Sequence, residues 1–200
     1  GGSLIPRHLK IGVAVLLAAV LVMAFYLRRM RSETDTHAAD TRPVTAPVAG
    51  PTEQVNLYVA YDDPGVLHAQ AARIALPAGR QQRAQELLRA LLQMYLDKTS
   101  PHPLPAGADI RDVYMVDPGL AVIDLNAAFA DGHRSGVLIE ELTIASLVQT
   151  LAANIPGINR VKILVDGKDR ETLAGHADLT QFFDTGAMSR TAEQLASGPQ

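Results

Sequence analysis

The spacing of apolar residues changes several times along the chain, and each spacing predicts a different element. Ile11 to Leu27 (IGVAVLLAAVLVMAFYL) runs for seventeen residues without a charge or a polar stripe. As a helix it spans about 26 Å, enough for a bilayer core when the flanking Lys10, Arg28, Arg29 and Arg31 snorkel to the headgroups. Val22-Met23-Ala24 would serve as a cleavage site, but the run exceeds the apolar part of a signal peptide, and it lacks the polar face of a soluble helix. It predicts a single transmembrane helix within an anchor of residues 1–31. Residues 32–53 hold five Thr, three Pro and four Ala but no Leu, Ile or aromatic residue, so they read as a flexible tether with no core of its own.

From Gln54 the period shortens to two. Val55, Leu57, Val59 and Tyr61 alternate with Asn56, Tyr58 and Ala60, as in a half-buried strand, and Asp62-Asp63-Pro64-Gly65 turns the chain into a second extended run, Val66 to Leu76. Ala84, Leu87, Leu88, Leu91 and Tyr95 then recur at helical spacing between Gln81 and Leu96. The proline-rich stretch Asp97 to Ala108 is a loop. Ile110–Val116 and Leu120–Leu125 flank Asp117-Pro118-Gly119 as a hairpin. Val137 to Asn154 predicts a second helix, with Ser135 as its N-cap and a wide apolar face that calls for deep burial. Val161–Val165 is a short β-branched strand, Arg170–Phe183 an extended return over the sheet, and residues 185–200 a disordered tail. Residues 54–184 therefore predict an α+β domain: a mixed β-sheet with two helices packed on one face.

Composition narrows the chemistry. Apolar residues form 48% and charged residues 20% of the 200, ordinary for a packed domain. The absence of cysteine excludes disulfides, thiolate nucleophiles, cysteine-bound zinc and a lipid-modified N-terminal cysteine. The net charge of -3 is unevenly spread: residues 1–31 carry five basic groups and no acid, leaving thirteen basic against twenty-one acidic groups in the rest. An acidic body of this kind repels phosphate backbones and argues against nucleic acid as a partner.

Catalytic patterns are missing. There is no G-x-G-x-x-G turn and no phosphate loop around Gly167-Lys168, which argues against nucleotides and cofactors. Gly132-His133-Arg134-Ser135-Gly136 has its serine one place late for a nucleophile elbow. The nearest histidines, His8 and His37, are 29 residues apart, so no local metal-ligand spacing exists. Glu140 and Glu141 are adjacent on a helix and point about 100° apart, one inward and one to solvent, which makes no catalytic pair. No catalytic and no metal-binding residue is assigned. Four polar residues in otherwise apolar segments are binding candidates. Asp124 lies inside Val122-Ile123-Asp124-Leu125, where loop amides near Asn126 would equally serve as structural partners. Glu140 stands beside Glu141 in the otherwise apolar second helix, and His176 and Asp178 share a face of an extended segment, where they could pair.

Several stretches together resemble the sporulation and spore germination GerM domain, GerMN. They are Gly136-Val137-Leu138-Ile139-Glu140, Leu147-Val148-Gln149-Thr150-Leu151, Val161 through Gly167, and Thr172 through Leu179. Asp124-Leu125-Asn126 followed by Phe129, and the Leu104-Pro105-Ala106-Gly107 loop, also fit. The chain departs from similar members in having Thr180-Gln181-Phe182 where they carry Arg-Arg-Pro, a transmembrane segment in place of a lipid anchor, and one copy of the domain. The resemblance implies a fold similar to the ring-building motif, with an α-β-β-α-β core, and no enzymatic activity or cofactor. It also implies a domain on the outer side of the cytoplasmic membrane. That tips toward an inside N-terminus an orientation which two basic groups before the span and three after it leave open.

Two readings follow. In the first the chain is a non-enzymatic, membrane-anchored envelope protein, linked to sporulation or germination, whose domain associates with itself or with another envelope protein. In the second, the domain binds or weakly hydrolyses cell-wall material through a pocket near Asp124, Glu140, His176 and Asp178.

Overall fold

Two extended segments open the domain and pair only with each other. In the computed structural model residues 51–116 and 119–197 are described, so the predicted anchor and residues 32–50 of the tether lie outside them. β1, Thr52–Tyr61, pairs antiparallel with β2, Val66–Ala75, from Thr52↔Ala75 to Tyr61↔Val66. Thr52 and Glu53, read as the end of the tether, therefore belong to the fold.

α1, Arg80–Leu96, follows, and Ala84, Leu87, Leu88, Leu91, Leu92 and Tyr95 bury one stripe of it. β3, Ile110–Val116, and β4, Leu120–Leu125, form the predicted hairpin. Gly119 is required where β4 begins: its φ is +87°, and a Cβ there would lie 2.6 Å from the Gly157 carbonyl oxygen. A five-residue helix absent from the sequence reading, α2 (Ala127–Asp131), is capped by the Asn126 side chain, which accepts from Phe129 N. α3, Val137–Asn154, leads into β5, Arg160–Val165. β6, Phe183–Asp184, and α4, Thr185–Ser197, complete the chain.

Instead of one sheet there are two. β3-β4-β5-β6 form a four-stranded mixed sheet, with β4 and β5 parallel and the outer pairs antiparallel, while the β1-β2 hairpin stands apart. The helices cover one face of the mixed sheet, and the chain after β5 covers Asp124 and Lys162 on the other. Val113, Ala121, Ile123, Leu125, Val161 and Ile163 point into the core shared with α1 and α3, whereas Tyr114 and Val116 stay exposed on the other side. Two further expectations are corrected. The segment expected as an extended return, Arg170–Phe183, runs instead through bends with one isolated bridge, Thr172↔Asp178, until Phe183 enters β6. The predicted disordered tail forms α4, started by Asp184 Oδ1 accepting Ala187 N at 2.7 Å and tied to α3 by the Ser189 hydroxyl donating to Gln149 Oε1 at 3.2 Å.

The hairpin stands apart because its inner edge is closed by side chains. In an antiparallel pair alternate residues turn their main-chain groups away from the partner strand. For β1 these are Asn56, Tyr58 and Ala60, and every one meets a helix. Asn154 receives Asn56 N on Oδ1 at 3.1 Å and donates Nδ2 to Asn56 O at 2.7 Å; Thr150 Oγ1 accepts Tyr58 N at 3.0 Å. Ser146 Oγ donates to Tyr58 O, so the Tyr95 hydroxyl donates to Ser146 and accepts Ala60 N at 2.8 Å. Ser146, Thr150 and Asn154 recur every four residues, about 6 Å along a helix, close to the roughly 6.7 Å between alternate strand residues. Asn154 and Thr150 meet alternate residues of β1, Ser146 returns to the carbonyl of Tyr58 and Tyr95 of α1 serves Ala60, so two helices together act as the strand's neighbour.

α3 is consequently enclosed from Leu142 to Leu151. Its mean hydropathy of 1.2 and 18-residue length would let it cross a membrane, but 61% of it is buried inside the domain, as expected of a core helix. Burial pushes the Tyr95 hydroxyl up to about 12, so it stays protonated and remains a donor throughout the working range. Tyr95→Phe leaves Ala60 N without its acceptor and Ser146 without its donor. It should cost about 1–3 kcal/mol in chemical denaturation with the helix content intact.

Candidate functional site

Of the four predicted residues, Glu140 is the most deeply placed. It lies in the first turn of α3 with no exposed surface. Its Oε2 accepts the main-chain N–H groups of Ala174, His176 and Ala177 at 3.0, 3.0 and 2.9 Å. Its Oε1 accepts Gly136 N at 3.2 Å and the His176 imidazole Nδ1 at 3.0 Å. Burial alone would raise the carboxyl, but the Ala177, Ala174 and His176 amides, together with the imidazole, hold it down at about 2. The ionised carboxylate is thus a fastener for the loop after β5. The helix start differs from the sequence reading accordingly: Gly136 is the N-cap, and Ser135 places its hydroxyl 3.2 Å from His176 Nδ1 instead of capping. Glu140 reaching back to Gly136 N takes over that part of the capping role.

The other candidates separate. Asp124 accepts Gly167 N at 2.7 Å, with Arg111 Nε 3.7 Å away. The amide is in the turn after β5 and not near Asn126. Asp166 there has φ +51° and pairs with Arg111 at 2.9 Å. Asp178 does not pair with His176. Its Oδ1 accepts Thr180 N at 2.8 Å and the Thr180 hydroxyl at 2.6 Å, folding a local turn, and these bonds lower its pKa. His176 and Asp178 do share one open groove of about 580 Å³, with Glu141, Phe182, Asp184 and Met188 among its other lining residues. Glu140 and Asp124 do not line it. The exposed Glu141 and buried Glu140 divide as the helix geometry predicts.

A polar cluster that the sequence reading missed sits deeper. His102 Nδ1 lies 2.6 Å from Asp62 Oδ1 and its Nε2 2.7 Å from Thr143 Oγ1. His133 Nε2 approaches the same hydroxyl at 2.8 Å, its Nδ1 facing Arg134 O at 2.7 Å, while Arg134 pairs with Asp62. Carboxylate, imidazole and hydroxyl in this order are the elements of an activated nucleophile. Here, however, Thr143 is 1% exposed, bonds back to Ile139 O at 3.0 Å and has His133 where a substrate would approach. Burial pushes both imidazoles below their ordinary value. The cluster ties the β1-β2 turn to the entrance of α3. Asp62, His102 and Thr143 are 40 and 41 residues apart, so no local spacing announces them. The one sequence signal is a threonine on an apolar helix face.

Among the described residues no group of three His, Cys, Asp or Glu side chains could hold a metal ion. Among the described residues every buried side-chain nitrogen and oxygen has a hydrogen-bond partner. Glu140 carries a pH prediction. Its carboxyl moves from an ordinary 4.5 to about 2 on folding, so the stability it contributes is complete above about pH 4.5 and is lost as the pH falls toward 2. Glu140→Gln should cost on the order of 3 kcal/mol near neutral pH. It should also flatten the acid limb of a urea-denaturation series between those two values.

No curated protein matches the chain. Among solved structures, a candidate lipoprotein from Clostridium perfringens is 23% identical with a TM-score of 0.46, over 70% of this chain and 92% of that one. The tandem GerMN domains of the Bacillus subtilis sporulation protein GerM are 18% identical with a TM-score of 0.48, over 66% of this chain and 45% of that one. The first of those domains alone is 17% identical with a TM-score of 0.44, over 65% and 95%. The Germane family model, described as sporulation and spore germination, matches residues 56–171, from β1 through β5 into the loop fastened by Glu140. The chain belongs to the Germane family of sporulation and spore germination domains.

Proposed function

We propose that the chain is a non-enzymatic, membrane-anchored envelope protein whose GerMN domain is an assembly module, held outside the cytoplasmic membrane by a single N-terminal span. The observation that carries this reading is the contrast between interior and surface. The buried polar groups that could do chemistry, Glu140, His102, Thr143 and Asp124, are all engaged within the fold. The outer face of the mixed sheet, by contrast, leaves Tyr114 and Val116 of β3 44% exposed, and Phe182 is 51% exposed. Tyr114 lies in register with Val122 and Lys162, and Arg160 and Lys162 stand 5.5 and 5.8 Å from the Phe182 ring. Tyr114, Val116 and Phe182, the last with Arg160 beside it and the buried Lys162 beneath it, make an exposed aromatic surface suited to another protein. The order α1-β3-β4-α3-β5, with short α2 interposed, also accords with a ring-building motif.

Amine-reactive crosslinking of the full chain in its membrane should trap a discrete homo-oligomer or a complex with an envelope protein, and Tyr114→Glu should weaken it several-fold. Monomers alone at every protein concentration would contradict the reading.

The groove beside His176 supports a second reading, in which the domain binds cell-wall material. His176 gives Nδ1 to Glu140, and among the described residues nothing bonds to its Nε2. If this reading holds, the full chain co-sediments with purified cell wall and His176→Ala releases it; sedimentation unaffected by the substitution would remove the groove from consideration.

A further inference from the structure

The cluster around Thr143 is one hydrogen short. Four contacts join it: His102 Nδ1 to Asp62 Oδ1 at 2.6 Å, His102 Nε2 to Thr143 Oγ1 at 2.7 Å, His133 Nε2 to the same oxygen at 2.8 Å and His133 Nδ1 to Arg134 O at 2.7 Å. Each needs a hydrogen between its two heavy atoms. The Arg134 carbonyl supplies none, and neither does Asp62: burial would raise its carboxyl, but the bonds from Arg134 and His102 hold it below its ordinary value, and it is ionised. A neutral imidazole carries one hydrogen and a hydroxyl one, so the two rings and Thr143 bring three hydrogens to four contacts. Changing the tautomer of either ring moves the gap without closing it. Sending the Thr143 hydrogen to Ile139 O, 3.0 Å away, widens it.

We propose that this cluster is a proton-binding site, in which His102 and His133 hold one proton in common across the Thr143 hydroxyl and so latch the β1-β2 turn to the entrance of α3. The added hydrogen completes a directed chain. When it sits on His133, that ring donates to Arg134 O and to Thr143, Thr143 donates to His102, and His102 donates to Asp62. When it sits on His102, that ring donates to Asp62 and to Thr143, and Thr143 donates to His133. Two short hops, from His133 Nε2 to Oγ1 and from Oγ1 to His102 Nε2, convert the first arrangement into the second, so the charge belongs to the pair.

The surrounding charges fit one proton and not two. Asp62 faces the pair from the β1-β2 turn, Arg134 from the connection before α3, and Glu140 from α3 itself. The other neighbours are rings: Tyr95 of α1 stands edge-on to His102 at 5.0 Å, and Phe129 of α2 stacks on His133 at 6.1 Å. Two carboxylates and one guanidinium leave a single negative charge for the proton to neutralise. A second proton would set two imidazolium rings 6.2 Å apart beside Arg134. Burial holds each imidazole below its ordinary 6.5, so the proton enters on the acid side of that value. Above it, one contact at Oγ1 has lone pairs on both sides. His133, 7% exposed against 0% for His102, is the ring that can turn its lone pair to water and loosen the latch.

Nuclear magnetic resonance of the full chain in detergent, with histidine labelled at its ring nitrogens, tests this directly. From about pH 8 to about pH 4.5 the His102 and His133 signals should move together with one midpoint, each by about half the shift of a fully protonated imidazole. The Asp62 and Arg134 amide signals should follow them. His133→Gln places a permanent N–H where Nε2 stood, so the Asp62 amide should keep its acid position throughout this range while His102 stays neutral. Thr143→Val, of nearly equal volume, removes the relay and should let the two rings titrate independently. Full protonation of both rings in the unsubstituted chain, at one midpoint or at two, would overturn the proposal, as would no titration of either ring in this range. A His133→Gln chain whose Asp62 amide still shifts would overturn it too. Should Thr143→Val not fold, the titration of the unsubstituted chain and of His133→Gln decides.

Discussion

A helix enclosed by its own domain must either be apolar all round or find a partner for every polar group it carries. α3 takes the second course, and the arrangement of the other elements follows from it. Glu140 fastens the loop after β5, Thr143 joins the two histidines, and Ser146, Thr150 and Asn154 close the edge of β1. An unpaired group at any of these positions would cost about 1–3 kcal/mol, so each contact is obligatory and fixes where its partner segment lies. The hairpin, the α2-α3 connection and the loop at Thr172–Leu179 are positioned against one axis by polar specificity, while the apolar side chains between them supply the bulk of the burial.

This division between apolar bulk and polar placement explains what the sequence shows and what it hides. Apolar periodicity finds β1, α1, the β3-β4 hairpin, α3 and β5, because each of these elements buries a regular stripe. It misses α2, which is only five residues long and depends on the Asn126 cap. It also misses α4, whose start rests on Asp184 and whose hold on α3 includes Met188 and the Ser189-Gln149 bond. The expectation of one sheet fails for a related reason. Five predicted strands suggest one ladder unless side chains of helices can stand in for a strand, and that substitution depends on Asn154 and Thr150 meeting alternate residues of β1 while Ser146 and Tyr95 serve Tyr58 O and Ala60 N.

Site residues follow the same rule. Polar residues in apolar surroundings are visible in sequence, and all four candidates do hold structured positions. Their partners are not visible, since Glu140 meets amides 34 to 37 residues away and Asp124 meets one 43 residues away. Convergence on one pocket therefore could not be read from spacing. The geometry brings Glu140 and His176 into contact, puts His176 and Asp178 along one groove and leaves Asp124 with Arg111 and Gly167. The family assignment rests on this same scaffold, because the matched residues 56–171 run from the start of the closed β1 edge to the loop held by Glu140.

The central claim is that side chains of α3 and α1 replace a neighbouring strand along β1. Amide hydrogen exchange on the full chain, read residue by residue, tests it most directly. Asn56, Tyr58 and Ala60 should exchange as slowly as the ladder amides of β4 and β5. Exchange at these three positions as fast as at an exposed loop would show that the helices do not close this edge, and the account of the fold would fail with it.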